Sequence, residues 1–455
     1  MDLVIKNCKV VKPNGIFDLG IAIDGGKIVM LSADANLPPS DNSIDAKGRY
    51  VLPGLVDSHM HFPWPPREDF AEKIEAETRA CLFGGCTTAV HMLRGNRDIS
   101  EEVTSFVKLY EQNGYMDVGL NAMVLSRDHI NQFRHLVESG MVSFKFFMPY
   151  RVGTKAVKGL PQIDDGLMYL GFREIAALFQ EGFNVHGRVH CENIEIFSQI
   201  KKNYLEKGIV PDSWHATRPS ICEVESIIKT IYLAEVTGSP ITIVHMSTKE
   251  SVDLVAQAIA NGVRVTGETC PQYLILSVDN TDKNLSKVNP PIREKKDNEK
   301  LWQGLKNGSL HMVGTDHWPI YQKKKSDLWS GEVGLSTVEC WLPIMLSEGV
   351  NKGILSLERL VEICCYIPAK MFGLTPEKGM IEVGSDADLV IVDLDKEVVV
   401  GDKPAYSGTD YNIFSGWQLK GWPRLTMLRG KIVMEEGKIY GDAGQGKYLP
   451  SKSKG

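Results

Sequence analysis

Asp57, His59 and His61 alternate in the segment Gly54-Leu55-Val56-Asp57-Ser58-His59-Met60-His61. Alternate residues of a β-strand face the same way, so the carboxylate and both imidazoles share one face. Val56, Ser58 and Met60 take the other. Two imidazoles about 7 Å apart on one face can grip a single metal ion. The carboxylate can be a further ligand or can fix an imidazole from behind. An isolated H-x-H match is weak, but more donors recur along the chain. Lys145 lies in the apolar run Val142 to Met148, His190 ends Asn184 to His190, His245 lies in Ile241 to Met246, and Asp316 ends His311 to Asp316. Only 11 histidines occur in the chain, so four at the ends of strand-like runs make a metal site's ligand set rather than a scatter of core residues. With an apolar strand before it, Asp316 reads as a ligand and general base rather than a helix cap. His91, His129, His135, His186, His215 and His311 read as ordinary histidines, and His317 as a supporting group.

The elements that must position these donors alternate along the middle of the chain. Eight apolar runs read as strands: Leu55 to His61, Thr87 to Met92, Val118 to Val124, Val142 to Met148, Asn184 to His190, Ile241 to Met246, Val263 to Glu268 and His311 to Asp316. Amphipathic segments separate them, one running from Glu68 to Phe83 with acidic residues at its start and Gly84-Gly85 at its stop. Eight βα units over about 260 residues have the size of a TIM (β/α)8 barrel, whose working groups sit at the strands' C-terminal ends. A doubly wound sheet is disfavoured because no G-x-G-x-x-G loop follows any strand. Short runs broken by turns fill both ends: Leu3 to Ile5, Leu19 to Ile23 and Lys27 to Leu31, then Asp388 to Asp393, Arg424 to Arg429 and Lys431 to Met434. Neither end can bury a core alone. The expected architecture is a barrel at 53–375 inserted between two halves, 1–52 and 376–440, of one small β-sandwich, with a tail at 441–455.

Composition narrows the class. A net charge of −6 argues against nucleic-acid or anionic-membrane partners, and no apolar stretch reaches the about 18 residues of a membrane span. Lys323-Lys324-Lys325 reads as a local, solvated loop. The nine cysteines make no disulfide framework and read as reduced thiols. Met1-Asp2-Leu3-Val4-Ile5-Lys6 lacks the pattern of a secretory signal, so the protein reads as cytoplasmic.

An unpaired ammonium in so apolar a strand as that of Lys145 is costly, and it would repel a cation. Here the constellation resembles the cyclic amidohydrolase branch of the amidohydrolase superfamily. The likeness runs from Lys6-Asn7 through Pro53 to His61 and on to Gly384-Ser385-Asp386-Ala387-Asp388-Leu389, with Gly267 to Leu274 and Asn289-Pro290-Pro291-Ile292-Arg293 as further shared blocks. The resemblance implies that Lys145 is carboxylated and that its carbamate bridges two divalent ions. One ion would take His59, His61, Lys145 and Asp316, the other Lys145, His190 and His245. Zinc (Zn2+) is the expected ion, with Mn2+ or Co2+ as alternatives. Such ions make a bridging hydroxide available near neutral pH, and Asp316 would move its proton to the leaving nitrogen.

Within that branch, dihydroorotase-like sequences carry an arginine two residues after the second histidine, where this chain has Pro63. Hydantoinases and dihydropyrimidinases carry a tyrosine five residues after the bridging lysine, and here that residue is Tyr150, the implied oxyanion donor. Allantoinase-like sequences generally lack it. The hydantoinase pattern has serine at Asn289 and Asn-Gly near Val333-Gly334, positions that hold the ring's imide. The resemblance therefore implies a hydrolase opening a hydantoin or dihydropyrimidine ring to an N-carbamoyl amino acid. An allantoinase and a non-catalytic dihydropyrimidinase-related scaffold are the rivals, the latter weakened because all six ligands are present. Relatives commonly form tetramers, and the tail from Gly441 to Gly455 fits either an interface arm or a disordered end. The stretch Pro319 to Gly334 is long enough to form a lid. Deleting its central residues is expected to raise KM or cut turnover in a steady-state assay; unchanged kinetics would refute a lid.

Overall fold

In the computed structural model, residues 1–63, 68–94, 98–149, 163–325 and 327–454 are described. Eight strands form one sheet in sequence order: β1 (Leu55–Met60), β2 (Cys86–Leu93), β3 (Asp117–Met123), β4 (Ser143–Phe147), β5 (His186–His190), β6 (Ile241–Ile243), β7 (Val265–Thr269) and β8 (Met312–Val313). They run parallel, with Phe147 beside His190, Val189 beside Ile243 and Glu268 beside Met312. Strands wrapped by helices on a barrel are buried on both faces, which is why β1 and β2 are buried throughout. All eight expected strands are present. Two end three residues before their apolar windows do: β6 stops at Ile243 and β8 at Val313. The backbone turns out of the ladder there, and His245 (φ 40°) and Asp316 (φ 50°) take left-handed conformations that non-glycine residues adopt at a cost.

The contacts divide the chain into two units. The first comprises residues 1–90, 107–119 and 336–449 and holds two smaller sheets. One, of four strands, is drawn from residues 3–45. Its Asp24-Gly25-Gly26-Lys27 turn closes a hairpin, both glycines having positive φ. The other, of seven strands, joins the two ends of the chain: Leu389–Val399 pairs antiparallel with Tyr50–Pro53, Leu389 opposite Pro53. Ile5, Val10, Ile23 and Ile28 pack with Leu389, Ile391, Leu425 and Met427 in one buried cluster.

A cluster of charges lies buried in the same unit. Lys378 Nζ meets Asp117 at 2.6 Å, Asp388 at 2.7 Å and Asp386 at 2.9 Å. Lys27 also binds Asp386, and Arg429 binds Asp117. Three carboxylates thus meet three cations. Residues of the tail pack on the chain itself: the Val118 N–H donates to Lys447 O, and the Leu449 N–H to Val118 O.

The second unit comprises residues 91–106, 120–335 and 450–455. Its tail residues are likewise held, the Asn184 N–H donating to Ser453 O at 2.7 Å. One expectation fails here. Lys325 is fully buried, its Nζ donating to Leu285 O at 2.9 Å and Lys287 O at 2.7 Å. Only Lys323 and Lys324 of that run are solvated, because carbonyls of a neighbouring segment substitute for water around the third ammonium. Among the described residues no helix is long and apolar enough to cross a membrane, and all nine cysteines are buried outside any disulfide.

Removing one partner of a buried ion cluster leaves uncompensated charge. Lys378→Met is expected to cost about 3–5 kcal/mol, read as a lower urea midpoint; a loss below about 1 kcal/mol would show that the three carboxylates reach water without it.

Candidate metal centre

In β4 the side chains sort by alternation. Phe144 stacks on Phe133 with ring centroids 3.6 Å apart, and Phe146 meets Phe172 edge-on at 5.4 Å. These rings fix the outer face of the strand, and Lys145 takes the opposite one. It is 2% exposed. Burial pushes its amine down from 10.5 to about 7, the Arg188 guanidinium adds to the fall, and Asp316 and Glu268 oppose it. Near neutral pH a large fraction is therefore the uncharged amine, the form that can attack carbon dioxide to give a carbamate. Arg188 lies opposite Lys145 in the β4–β5 register and binds Glu268 of β7 at 2.6 Å, both fully buried.

At the end of β5, His190 Nε2 and Glu192 Oε2 are 2.7 Å apart. Burial lowers the pKa of His190, so the neutral ring is inferred to donate from Nε2 and to present the Nδ1 lone pair. Burial alone would raise Glu192, but Arg218, whose Nη1 donates to Oε1 at 3.0 Å, and His190 outweigh it and hold the carboxyl at about 2. Arg218 in turn covers the Phe197 ring at 3.7 Å. The His190 and His245 rings stand edge to face with centroids 4.3 Å apart. Lys145, His190, His245 and Asp316 therefore belong to one unit, with Asp316 near enough to act electrostatically on both Lys145 and His190.

In the other unit, His59 is the penultimate residue of β1 and His61 lies just beyond its end, ring centroids 5.4 Å apart. Asp57 Oδ1 accepts the His59 backbone N–H at 3.0 Å, so this carboxylate steadies the main chain beside the imidazoles. Asn289 Oδ1 accepts from Trp214 Nε1 at 2.9 Å. His317 is buried, with its N–H donated to Thr315 Oγ1 and a bridge to Leu335. At Gly334 (φ 143°) a Cβ would lie 2.5 Å from the Trp318 ring, so only glycine fits there. Tyr150 lies outside the described residues, as do 64–67.

The donor set fits divalent cations. Imidazoles, a carboxylate and a buried amine of lowered pKa can accept a cation, and a carboxylate behind His190 is what a metal-bound imidazole calls for. Sequence reasoning missed Arg188, Glu192, Arg218 and Glu268. Arg188 had a signal, since it alternates with His190 along β5.

The amidohydrolase family model matches residues 50–433. The chain belongs to the amidohydrolase family. This amidohydrolase is similar to the L-hydantoinase of Paenarthrobacter aurescens, at 33% identity covering 99% of this chain and 98% of the relative. It is also similar to the D-hydantoinase of Geobacillus stearothermophilus, at 34% identity over 99% and 96%. Among solved structures, a D-hydantoinase matches with a TM-score of 0.90 at 32% identity over 99% of each chain. A dihydropyrimidinase from Brevibacillus agri matches at 0.90 with 30% identity over 100% of each. The α/β TIM-barrel fold is thereby shared along the full length.

His215 supplies a pH test of this region. Burial, then the neighbouring Arg293, lowers its pKa from 6.5 to about 4. The unfolded chain takes up that proton first, so wild-type stability falls as pH drops from about 6.5 to about 4. A His215→Gln variant should lack this component. Urea midpoints between pH 7 and 4.5 should therefore converge or cross for the two proteins, and parallel curves would refute the assignment.

Proposed function

We propose that this amidohydrolase opens a cyclic amide or imide ring, a hydantoin or dihydropyrimidine, to an N-carbamoyl amino acid. The observation that carries the reading is Lys145, a buried amine of lowered pKa grouped with Asp316 and His190, in a chain similar throughout to hydantoinases. His59, His61, Lys145 and Asp316 would hold one divalent ion, and Lys145, His190 and His245 a second. Imidazole and carboxylate donors favour zinc, with manganese or cobalt as substitutes. Lys145, carboxylated by carbon dioxide, would serve both. When bound, the ions supply an activated water and polarise the ring carbonyl.

The remaining work falls to the chain. Asp316 takes the proton from the attacking water and returns it to the ring nitrogen as the C–N bond breaks. Asp316 stands on a left-handed backbone three residues past the end of β8. Tyr150 donates to the oxygen on which charge develops, and Asn289 holds the imide edge. Pro63 offers no cation to a carboxylate substituent, which argues against dihydroorotate. A homotetramer in a reducing cytoplasm accords with the relatives' habit and the nine buried thiols.

The test is a ring-opening assay on zinc- or manganese-loaded protein with dihydrouracil, a 5-substituted hydantoin, allantoin and dihydroorotate in parallel. Turnover is expected on one or both of the first two. Tyr150→Phe should lower kcat by about 10²–10³. Lys145→Ala should abolish turnover, with partial recovery when a short carboxylate such as acetate fills the space. Activity on allantoin alone would overturn the substrate class and the role of Tyr150; a chain with no stoichiometric metal would overturn the mechanism.

A further inference from the structure

Arg293 sits well away from the donors in sequence and is 1% exposed. Its guanidinium spends every nitrogen. Nε donates to Ser247 Oγ at 3.0 Å, Nη2 to Glu223 Oε2 at 3.0 Å, and Nη1 to Arg218 O at 2.5 Å, with His215 Nδ1 at 3.0 Å from the same nitrogen. Glu223 lies on α1 (Ser220–Thr237) and gathers the turn after β6 onto itself. Its Oε1 accepts from the Ser247 N–H and from Ser251 Oγ, both at 2.9 Å, and its Oε2 accepts from Ser247 Oγ.

Two arms leave this hub, one ending on an imidazole and the other on the backbone two residues past one. One runs from Arg293 through the Arg218 carbonyl to the Arg218 guanidinium, then to Glu192 and His190 Nε2. The other runs through Ser247, two residues beyond His245, which is held at φ 40°. A third contact, Trp214 Nε1 to Asn289 Oδ1, ties the segment just before Arg218 to the segment that carries Arg293.

We propose that Arg293 is a positioning residue that sets His190 and His245 against each other and so builds the second of the two cation sites. This rests on the binuclear reading above. A planar fork with five donors can serve four acceptors in fixed directions, whereas a lysine keeps the charge and loses the directions. Left-handed backbone at His245 needs outside bonds to persist, and the Ser247–Glu223–Arg293 contacts are such bonds.

Arg293→Ala would strand the Glu223 charge in the interior and unfold the region, so the informative variants are Arg293→Lys and Ser247→Ala. Metal uptake is measured by equilibrium dialysis against zinc with elemental analysis, on folded protein verified by circular dichroism. Wild type is expected to bind two ions per chain. In Arg293→Lys the second should bind about 10–100-fold more weakly, the usual cost of losing a residue behind a metal-bound imidazole. The first ion should be retained and the stoichiometry at limiting zinc should fall from two towards one. Ser247→Ala should do the same to a smaller degree, and the double variant should be no worse than Arg293→Lys alone, since Ser247→Ala cuts an arm that Arg293→Lys has already cut. Two ions bound with wild-type affinity in both variants would overturn this role and leave the binuclear reading standing. A wild-type chain that binds fewer than two ions would overturn the binuclear reading and this role with it.

Discussion

Arg188 and Glu268 meet at 2.6 Å in the barrel interior with no solvent exposure on either side chain. Water cannot screen them there, so each charge acts at close to full strength on whatever lies next to it. Lys145 is what lies next to it. The guanidinium depresses the amine and the carboxylate restores it in part. Because the pair is neutral as a whole, it can sit under a metal centre without swinging the field strongly to either sign. Its geometry does the tuning through distance rather than net charge. Replacing the pair by apolar residues could stabilise the fold but would leave Lys145 governed mainly by burial and Asp316.

Above that layer the site is made where the sheet ends. β6 and β8 leave the ladder early, and His245 and Asp316 occupy left-handed conformations just past it. A regular strand would send successive side chains to opposite faces at fixed spacing. A turn out of register frees the next side chains from that rule, at a cost of about 1–3 kcal/mol each. The bonds that offset this cost at His245 come from α1 and from the segment around Arg293, so the donors' positions depend on the packing of elements distant in sequence.

That dependence sets what the sequence could disclose. Alternation exposed Asp57, His59 and His61, and apolar windows located all eight strands, because both signals are local. The candidate donors, His190 and His245 among them, were named from residue type and place alone. Their supports were not. Arg293 and Arg218 lie 75 residues apart and Arg188 and Glu268 lie 80 apart, and no periodicity links such pairs. The same gap misled the reading of Lys325, whose carbonyl partners lie 38 and 40 residues upstream. A run of three lysines looks solvated until the fold supplies acceptors. The strand windows overran at β6 and β8 for a related reason, since hydropathy marks burial and not hydrogen bonding.

Two buried lysines show how the fold separates a structural group from a reactive one. Lys378 is 2% exposed and so is Lys145. Burial pushes both amines down, yet Lys378 ends well above its ordinary value because Asp388, Asp117 and Asp386 surround it. Asp117, Asp386 and Asp388 could together hold a cation, and Lys378 already fills that place with its own ammonium. The charges there sum to zero with Lys27 and Arg429, which leaves nothing for an ion to neutralise. Lys145 faces Arg188 instead and loses its proton near neutral pH. An amine so placed is a nucleophile, since Asp316 and Glu268 only partly offset burial and the Arg188 guanidinium. The residue type is the same and the burial is the same; the count of carboxylates within reach decides which lysine is a rivet and which can do chemistry.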